Sequence, residues 1–254
     1  MTVEYETRGD IAIVTINRPE RRNAVDGPTA QKLFDAFERF DRDENLNTAI
    51  LQGADGNFCA GADLQAVAAG KGNTVEKTGP LAPMGPTRMR LSKPVIAAVE
   101  GYAVAGGMEL ALWCDLRVMA ASARFGIFCR RFGVPLIDMG TIRLPRLIGQ
   151  SRASDLILTG REVDAEESLA IGLANRVSGD GEALDMALEL ARQISAFPQK
   201  CLRNDRQSMH DQWAMDHDTA MRNEIELGLE TLRSGETLAG ATAFSKGKGR
   251  HGQF

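Results

Sequence analysis

Apolar positions first cluster at Ile11, Ile13, Val14 and Ile16, between charged and turn residues. That short run predicts a buried strand over residues 10–17. Residues 19–27 are polar and read as a loop. Asp26 and Pro28 then signal a helix start. Leu33, Phe34, Phe37 and Phe40 recur at three- and four-residue steps, so that helix has one apolar face. Residues 48–52, 94–100 and 115–120 read as further strands. A glycine- and alanine-rich turn over 53–62 leads into the opening of a helix at 63–69. A second glycine turn leads into a short apolar helix over 106–114. Strand and helix therefore alternate, which predicts an α/β core whose turns pack side by side.

Residues 70–86 break the pattern with four glycines and three prolines. They read either as a mobile lid beside a site or as a disordered surface loop. From about residue 151 the pattern is mostly helical. Leu184, Ala187, Leu188, Ala191 and Ile194 give residues 182–195 an amphipathic helix, and Pro198 breaks it. Residues 199–233 are strongly helical in character, and 239–244 add a last short helix. Lys246, Lys248, Arg250 and His251 among glycines make a basic tail. The expected organisation is an α/β core over residues 1–195 and a helical C-terminal region with that tail over 196–254.

Composition narrows the function classes. The chain has 254 residues and a net charge of −4, so it lacks the basic footprint of a nucleic-acid binder. No apolar run approaches the roughly 18–20 residues that span a membrane. Residues 1–6 are acidic and carry no apolar secretory stretch. The expected compartment is cytoplasmic. The four cysteines, Cys59, Cys114, Cys129 and Cys201, form no C-x-x-C pair, which argues against a disulfide framework or a zinc site. His210 and His217 can share a helical face, but they have no cysteine partner, so no metal site is expected.

Two segments carry candidate chemistry. The first is Asn57-Phe58-Cys59-Ala60-Gly61-Ala62-Asp63-Leu64. Its small residues allow close approach to the backbone, and Asp63 opens a predicted helix whose first N–H groups lack intrahelical partners. Such a turn can hold an oxyanion or a purine edge; it can also be a plain strand-to-helix connection. In the second, residues 93–110, a buried strand runs into Ala105-Gly106-Gly107 and then an apolar helix. Gly106 would sit at the helix N-terminus, where the dipole favours negative charge. Glu109, three residues on, shares its face. Glu109 stands alone among Met108, Leu110, Ala111, Leu112 and Trp113, and burial there would raise its pKa into a range useful for proton transfer. The alternative is a helix-surface glutamate.

Together these segments resemble the enoyl-CoA hydratase/isomerase (crotonase) superfamily. The resemblance runs from about Val3 to the C-terminus. It includes Asn17-Arg18-Pro19, Asn23-Ala24, Leu158-Thr159-Gly160 and the stretch from Ala170 to Leu173. It implies a crotonase-like spiral of ββα turns with a helical C-terminal trimerisation region, assembled as a homotrimer or hexamer. It implies an acyl-CoA thioester substrate, with coenzyme A as part of the substrate and no tightly bound cofactor. The N–H groups of Ala62 and Gly106 would form an oxyanion hole for a thioester enolate, with Glu109 catalytic. Arg22, Ala24, Ala60, Asp63 and Leu64 would lie along the CoA moiety. Phe244 and Lys246 resemble C-terminal residues that meet the CoA adenine and phosphate; a solvated tail is the alternative.

One departure bears on the reaction. Hydratases of this family place a second glutamate twenty residues after the first, following a Phe-Gly pair. Here the pair is Phe125-Gly126 and the position is Cys129. A thiol of ordinary pKa does not replace a carboxylate. Arg130 and Arg131 could activate it, or it could be a buried structural cysteine. Asp138, within Pro135-Leu136-Ile137-Asp138-Met139-Gly140-Thr141, resembles the acidic residue of dienoyl-CoA isomerases and could supply the missing carboxylate. It could equally cap a turn or helix, and Arg143 and Arg146 lie near enough in sequence to pair with it. Three readings stay open: a hydratase-type lyase, an enoyl- or dienoyl-CoA isomerase, and an acyl-CoA binder with little chemistry.

Overall fold

A strand that the apolar pattern misses opens the fold. β1 (Val3–Arg8) buries only Val3 and faces solvent with most of its other side chains. It pairs antiparallel with β2 (Ile11–Ile16) from Val3↔Ile16 to Arg8↔Ile11. A one-sided edge strand carries little apolar signal. The computed structural model describes residues 1–249. The chain divides into two compact units, Met1–Ile194 and Ser195–Phe254.

In the first unit, α1 (Gly27–Arg42) starts where Asp26 accepts a hydrogen bond from the Thr29 N–H at 2.9 Å. The buried Lys93 closes its other end by donating to the carbonyls of Phe40 and Asp43. β3 (Thr48–Gly53) leads to α2 (Leu64–Ala68). β4 (Val95–Val99) and β5 (Tyr102–Val104) lead to α3 (Gly106–Trp113). β6 (Leu116–Ala120) and β7 (Arg124–Gly126) lead to α4 (Gly140–Ile148) and α5 (Gln150–Thr159). β8 (Glu162–Val163), α6 (Ala165–Ala170), β9 (Arg176–Ser178) and α7 (Ala183–Ser195) complete the run.

The strands sort into two sheets, β1-β2-β3-β4-β6-β9 and β5-β7-β8. Each turn of the spiral lays one strand in the large sheet, crosses to the small one, and then enters a helix. β4–β5–α3 and β6–β7–α4 are two such turns, with β5 and β7 paired in parallel. The preceding turn follows the same plan with less. After β3 the chain touches the small sheet through a single bridge, Cys59↔Ala103, before α2. Residues 59–64 and 103–109 therefore occupy equivalent places in adjacent turns. The parallel strands β3, β4 and β6 are buried along most of their length and read as mainly apolar runs, with the buried Arg117 of β6, which donates to the Leu173 and Cys114 carbonyls, as the exception.

Residues 70–86 do not behave uniformly. Residues 71–80 are largely exposed, but Ala82 to Thr87 are buried. Asn73 donates to the carbonyls of Val25 and Pro83, and Arg88 donates to that of Glu76. The second half of the segment is thus part of the core, neither a free lid nor a disordered loop.

The second unit holds α8 (Gln199–Asp211), α9 (His217–Arg233) and α10 (Glu236–Ser245). The helical stretch expected over 199–233 is interrupted. A 3-10 turn at Gln212–Ala214 and extended Met215 break it, and Asp216 then caps α9 through the Thr219 N–H. His210 and His217 consequently sit on different helices and share no face. The buried Asn204 amide donates to the Leu227 carbonyl and the Thr231 hydroxyl, tying α8 to α9. Met209, Trp213, Ile225, Leu232 and Leu238 are exposed in this unit. Arg250 and His251 of the basic tail lie outside the described residues. Among the described residues, no helix is long and apolar enough to cross a membrane.

Candidate active site

The two glycine-containing segments meet. Main-chain hydrogen bonds Cys59 N–H to Tyr102 carbonyl (2.9 Å) and Val104 N–H to Cys59 carbonyl (3.0 Å) stitch one to the other. Gly61, at φ 91°, then passes so close that a Cβ there would lie 3.0 Å from the Gly106 nitrogen and from the Ala105 Cβ. Only glycine fits both that backbone angle and that approach. Gly106 is the first residue of α3, so its N–H has no intrahelical partner. Ala105, immediately before it, is held at φ 54°, ψ −124° by its N–H bond to the Gly126 carbonyl. A non-glycine residue in that region is strained and persists only when its surroundings impose it. The Ala62 N–H takes no main-chain acceptor among the described residues, whereas the Asp63 N–H donates to the Val25 carbonyl and the Gly61 N–H to the Cys59 sulfur.

Glu109 is buried at 3% exposure, which removes its reading as a helix-surface glutamate. Its Oε1 accepts from the N–H of Asp138 (2.9 Å) and from the N–H of Gly140 (2.8 Å), the first residue of α4. Gly140 is needed for this approach, because a Cβ there would lie 2.7 Å from Glu109 Oε1. Burial pushes the Glu109 carboxyl up, and the nearby Asp138 charge adds to the push. The two N–H donors and the Arg143 charge hold it back, and the balance lies at about 7.

Asp138 is buried at 2% exposure and is not a helix cap. Its Oδ1 accepts from the Met84 N–H at 3.0 Å and from the Thr87 hydroxyl at 2.5 Å. Burial raises its carboxyl above the ordinary value. The Thr87 and Met84 hydrogen bonds and the charges of Arg88 and Arg143 oppose that without cancelling it. Arg143 meets Asp138 at its main-chain carbonyl, not its carboxylate. Glu109 and Asp138 thus lie together, each with one carboxylate oxygen bound by donors of the chain. The other oxygens, Oε2 and Oδ2, take no hydrogen bond among the described residues. A narrow cleft beside Glu109 is walled by Ala105, Leu112, Ile127, Leu136 and Leu144.

Cys129 is buried, and burial followed by the Glu109 charge raises its thiol above the ordinary value, outweighing Arg130. Arg130 and Arg131 turn instead to the carbonyls of Ile157 and Gly160. The activated-thiolate reading therefore gives way to the structural one.

The residues expected along the CoA moiety are brought together in the first unit. The Ala60 N–H donates to the Arg22 carbonyl, and Arg18 reaches the Ala24 carbonyl and the Asp63 carboxylate. Arg18 also pairs with Asp26 at 3.0 Å. Asp63 caps α2 through the N–H groups of Gln65 and Ala66. Burial works to raise its carboxyl. The Ala66 N–H, Arg18 and the Gln65 N–H outweigh burial and hold it below the ordinary value. The Asp63 side chain is thereby committed to Arg18 and to the cap of α2, and its main chain to the Val25 carbonyl and the Val67 N–H. Leu64 is 40% exposed. Phe244 and Lys246 belong to the second unit, where Phe244 is exposed near the end of α10 and Lys246 follows it.

Three contributors escape sequence reading. Met84 and Thr87 reach Asp138 from a segment whose glycines and prolines suggest only a loop. Arg18 carries a signal only as part of the Asn17-Arg18-Pro19 element. Its burial between two carboxylates is visible in no local pattern.

The chain has relatives among known proteins along nearly its whole length. The family model described as "Enoyl-CoA hydratase/isomerase" matches residues 6–251. The chain is 37% identical to an enoyl-CoA hydratase, EchA19, of Mycobacterium tuberculosis over 95% of its own length and 92% of that protein's. It is 35% identical to a short-chain-enoyl-CoA hydratase of Clostridium acetobutylicum, covering 95% and 94% of the two chains. A solved structure of an enoyl-CoA hydratase, EchA1, from Mycobacterium marinum superposes with a TM-score of 0.90 at 38% identity, covering 96% of each chain.

Proposed function

The chain belongs to the enoyl-CoA hydratase/isomerase family, and on that premise we propose that Glu109 and Asp138 together add water across the conjugated double bond of a 2-enoyl-CoA thioester. It is an acyl-CoA-processing enzyme of enoyl-CoA hydratase type. In this reading the thioester carbonyl accepts hydrogen bonds from the N–H groups of Ala62 and Gly106. One carboxylate takes a proton from water as the oxygen attacks Cβ, which places the charge on the thioester oxygen as an enolate. The other carboxyl gives its proton to Cα, and the two groups have exchanged one proton. A single backbone donor at such an oxyanion is worth about 2.7–4 kcal/mol of barrier, so two supply a large part of the acceleration.

The observation that carries hydration over isomerisation is the set of relatives, named enoyl-CoA hydratases along nearly the whole chain, and the second carboxylate gives that reaction the two groups it needs. Hydration needs one group for water and one for Cα. Cys129 does not supply the second, since burial and the Glu109 charge raise its thiol above the ordinary value. Asp138 can, because its main chain anchors Glu109 and its charge raises Glu109. That coupling, added to burial, holds the Glu109 carboxyl up at about 7, which suits it to hold a proton near neutrality.

Coenzyme A enters as part of the substrate, along Arg22, Ala24, Ala60, Asp63 and Leu64, with Phe244 and Lys246 proposed for the adenine and phosphate end. Removing residues 245–254 then raises KM for the thioester; an unchanged KM removes the tail from the site. The exposed Met209, Trp213, Ile225, Leu232 and Leu238 support assembly as a homotrimer or hexamer, to be read by light scattering in solution.

Incubation with crotonyl-CoA and with a 3-enoyl-CoA tests the reaction. Loss of the conjugated-thioester absorbance from the first is the expected result. Gain of that absorbance from the second, without loss from the first, assigns an isomerase. Binding without either change assigns a CoA-ester binder.

A further inference from the structure

We propose that Thr87 is a positioning residue for the reaction: its hydroxyl fixes one oxygen of Asp138 and leaves the other for the substrate. The inference rests on the reading of Asp138 as a catalytic carboxylate. Thr87 is fully buried in the 3-10 turn Pro86–Arg88, and its hydroxyl donates to Asp138 Oδ1 at 2.5 Å. The Met84 N–H donates to the same oxygen at 3.0 Å. Two donors on one oxygen fix the carboxylate plane and direct its remaining lone pairs through Oδ2.

The spacing of donor and acceptor is set independently. Arg143, from α4, donates through Nη2 to the Thr87 carbonyl at 2.6 Å and through Nη1 to the Asp138 carbonyl at 3.0 Å. A planar guanidinium holds its two partners at a fixed separation. The turn and the strand of chain before α4 are thereby clamped main chain to main chain, with the Thr87–Asp138 hydrogen bond between them. The same Asp138 residue donates its N–H to Glu109, so a shift of Asp138 is felt by both carboxylates. The charged groups around Asp138 are Glu109 from α3, Arg88 from its own turn and Arg143 from α4. A hydroxyl that donates only to the ionised form favours that form, and its removal moves the ionisation to higher pH.

Wild type, Thr87→Val, Thr87→Ser and Asp138→Asn are compared on a 2-enoyl-CoA thioester that the wild type hydrates, with thermal unfolding as the check on folding. The Thr87→Val variant is expected to lose on the order of 10-fold in kcat at little changed KM. Its acidic limb moves up by about one pH unit. Thr87→Ser, which restores the donor, returns both toward wild type. Wild-type kcat and pH profile in Thr87→Val, alongside an inactive Asp138→Asn, overturn the inference and leave the role of Asp138 standing. An active Asp138→Asn removes that role and the inference with it. Should valine prevent folding, Thr87→Cys replaces it: equal kcat and pH profiles for the cysteine and serine variants overturn the inference, and a cysteine variant below serine supports it.

Discussion

The main-chain N–H of Asp138 donates to Glu109 Oε1 at 2.9 Å, so the backbone of one acidic residue holds the side chain of the other. The Asp138 carboxylate meanwhile turns to Thr87 and Met84. Two acids are thus placed by a single turn of chain, with the α4 N-terminus closing the arrangement through Gly140. The relationship gives each residue a separate, testable role.

Glu109→Gln keeps the shape and the acceptor for both N–H groups but removes the proton carrier. Hydration is expected to slow by about 100-fold or more in kcat. Full activity in this variant would falsify the catalytic role of Glu109.

The same substitution has a stability signature. The Glu109 carboxyl lies at about 7 in the folded protein against an ordinary 4.5. Below the ordinary value the residue is protonated in both states and the shift costs nothing. Between 4.5 and 7 the unfolded chain releases a proton that the fold retains, so stability falls with rising pH; above 7 the loss is constant. The loss is on the order of 3 kcal/mol. Thermal unfolding should therefore show Glu109→Gln gaining on the wild type between pH 5 and pH 8. A constant difference across that range counts against the raised ionisation.

Asp138→Asn retains an oxygen for Thr87 and Met84 but removes the charge. Its kcat should drop by about 100-fold while KM stays near the wild-type value. A change in melting temperature with unchanged kcat would make Asp138 a structural residue.

Gly140→Ala introduces a Cβ 2.7 Å from Glu109 Oε1 and 2.8 Å from its Cγ. Glu109 must move, and the Gly140 N–H bond is lost or lengthened. The expected result is a drop in kcat of roughly 10-fold or more, since misplacement by an ångström is costly at a reacting centre. Isothermal titration with a saturated acyl-CoA should show binding nearly unchanged; equal kcat in the two proteins would separate Glu109 geometry from turnover.

Arg18→Met leaves Asp26 and Asp63 without their shared cation, at side-chain exposures of 23% and 7%. Loss of one member of a buried pair costs about 3–5 kcal/mol, and less here because Asp26 is partly solvated. Asp63 also caps α2, so the 60–64 segment loosens and KM for the thioester should rise more than kcat falls. Unfolding measured by denaturant together with steady-state kinetics checks both. Wild-type KM in a destabilised variant would limit Arg18 to folding.

Much of the core was legible because its signal is local. Ile11, Ile13, Val14 and Ile16 announce β2 by apolar spacing, and Asp26 with Pro28 announces α1 by its cap. β1 was not, because as an edge strand it buries one side chain. The break at Gln212–Ala214 was missed because residues with helical propensity flank it on both sides.

The sequence by itself determined the alternation of strand and helix, the two glycine-bearing turns, and an acidic residue isolated in an apolar helix. Each depends on residues within one helical turn or one strand of one another. Only the tertiary structure decided what surrounds Glu109. It set Asp138 beside Glu109, buried Cys129, and brought Thr87 to Asp138 from 51 residues away. Those contacts join separate turns of the spiral, and the spacing of residues along one turn carries no record of which atoms of another will face it.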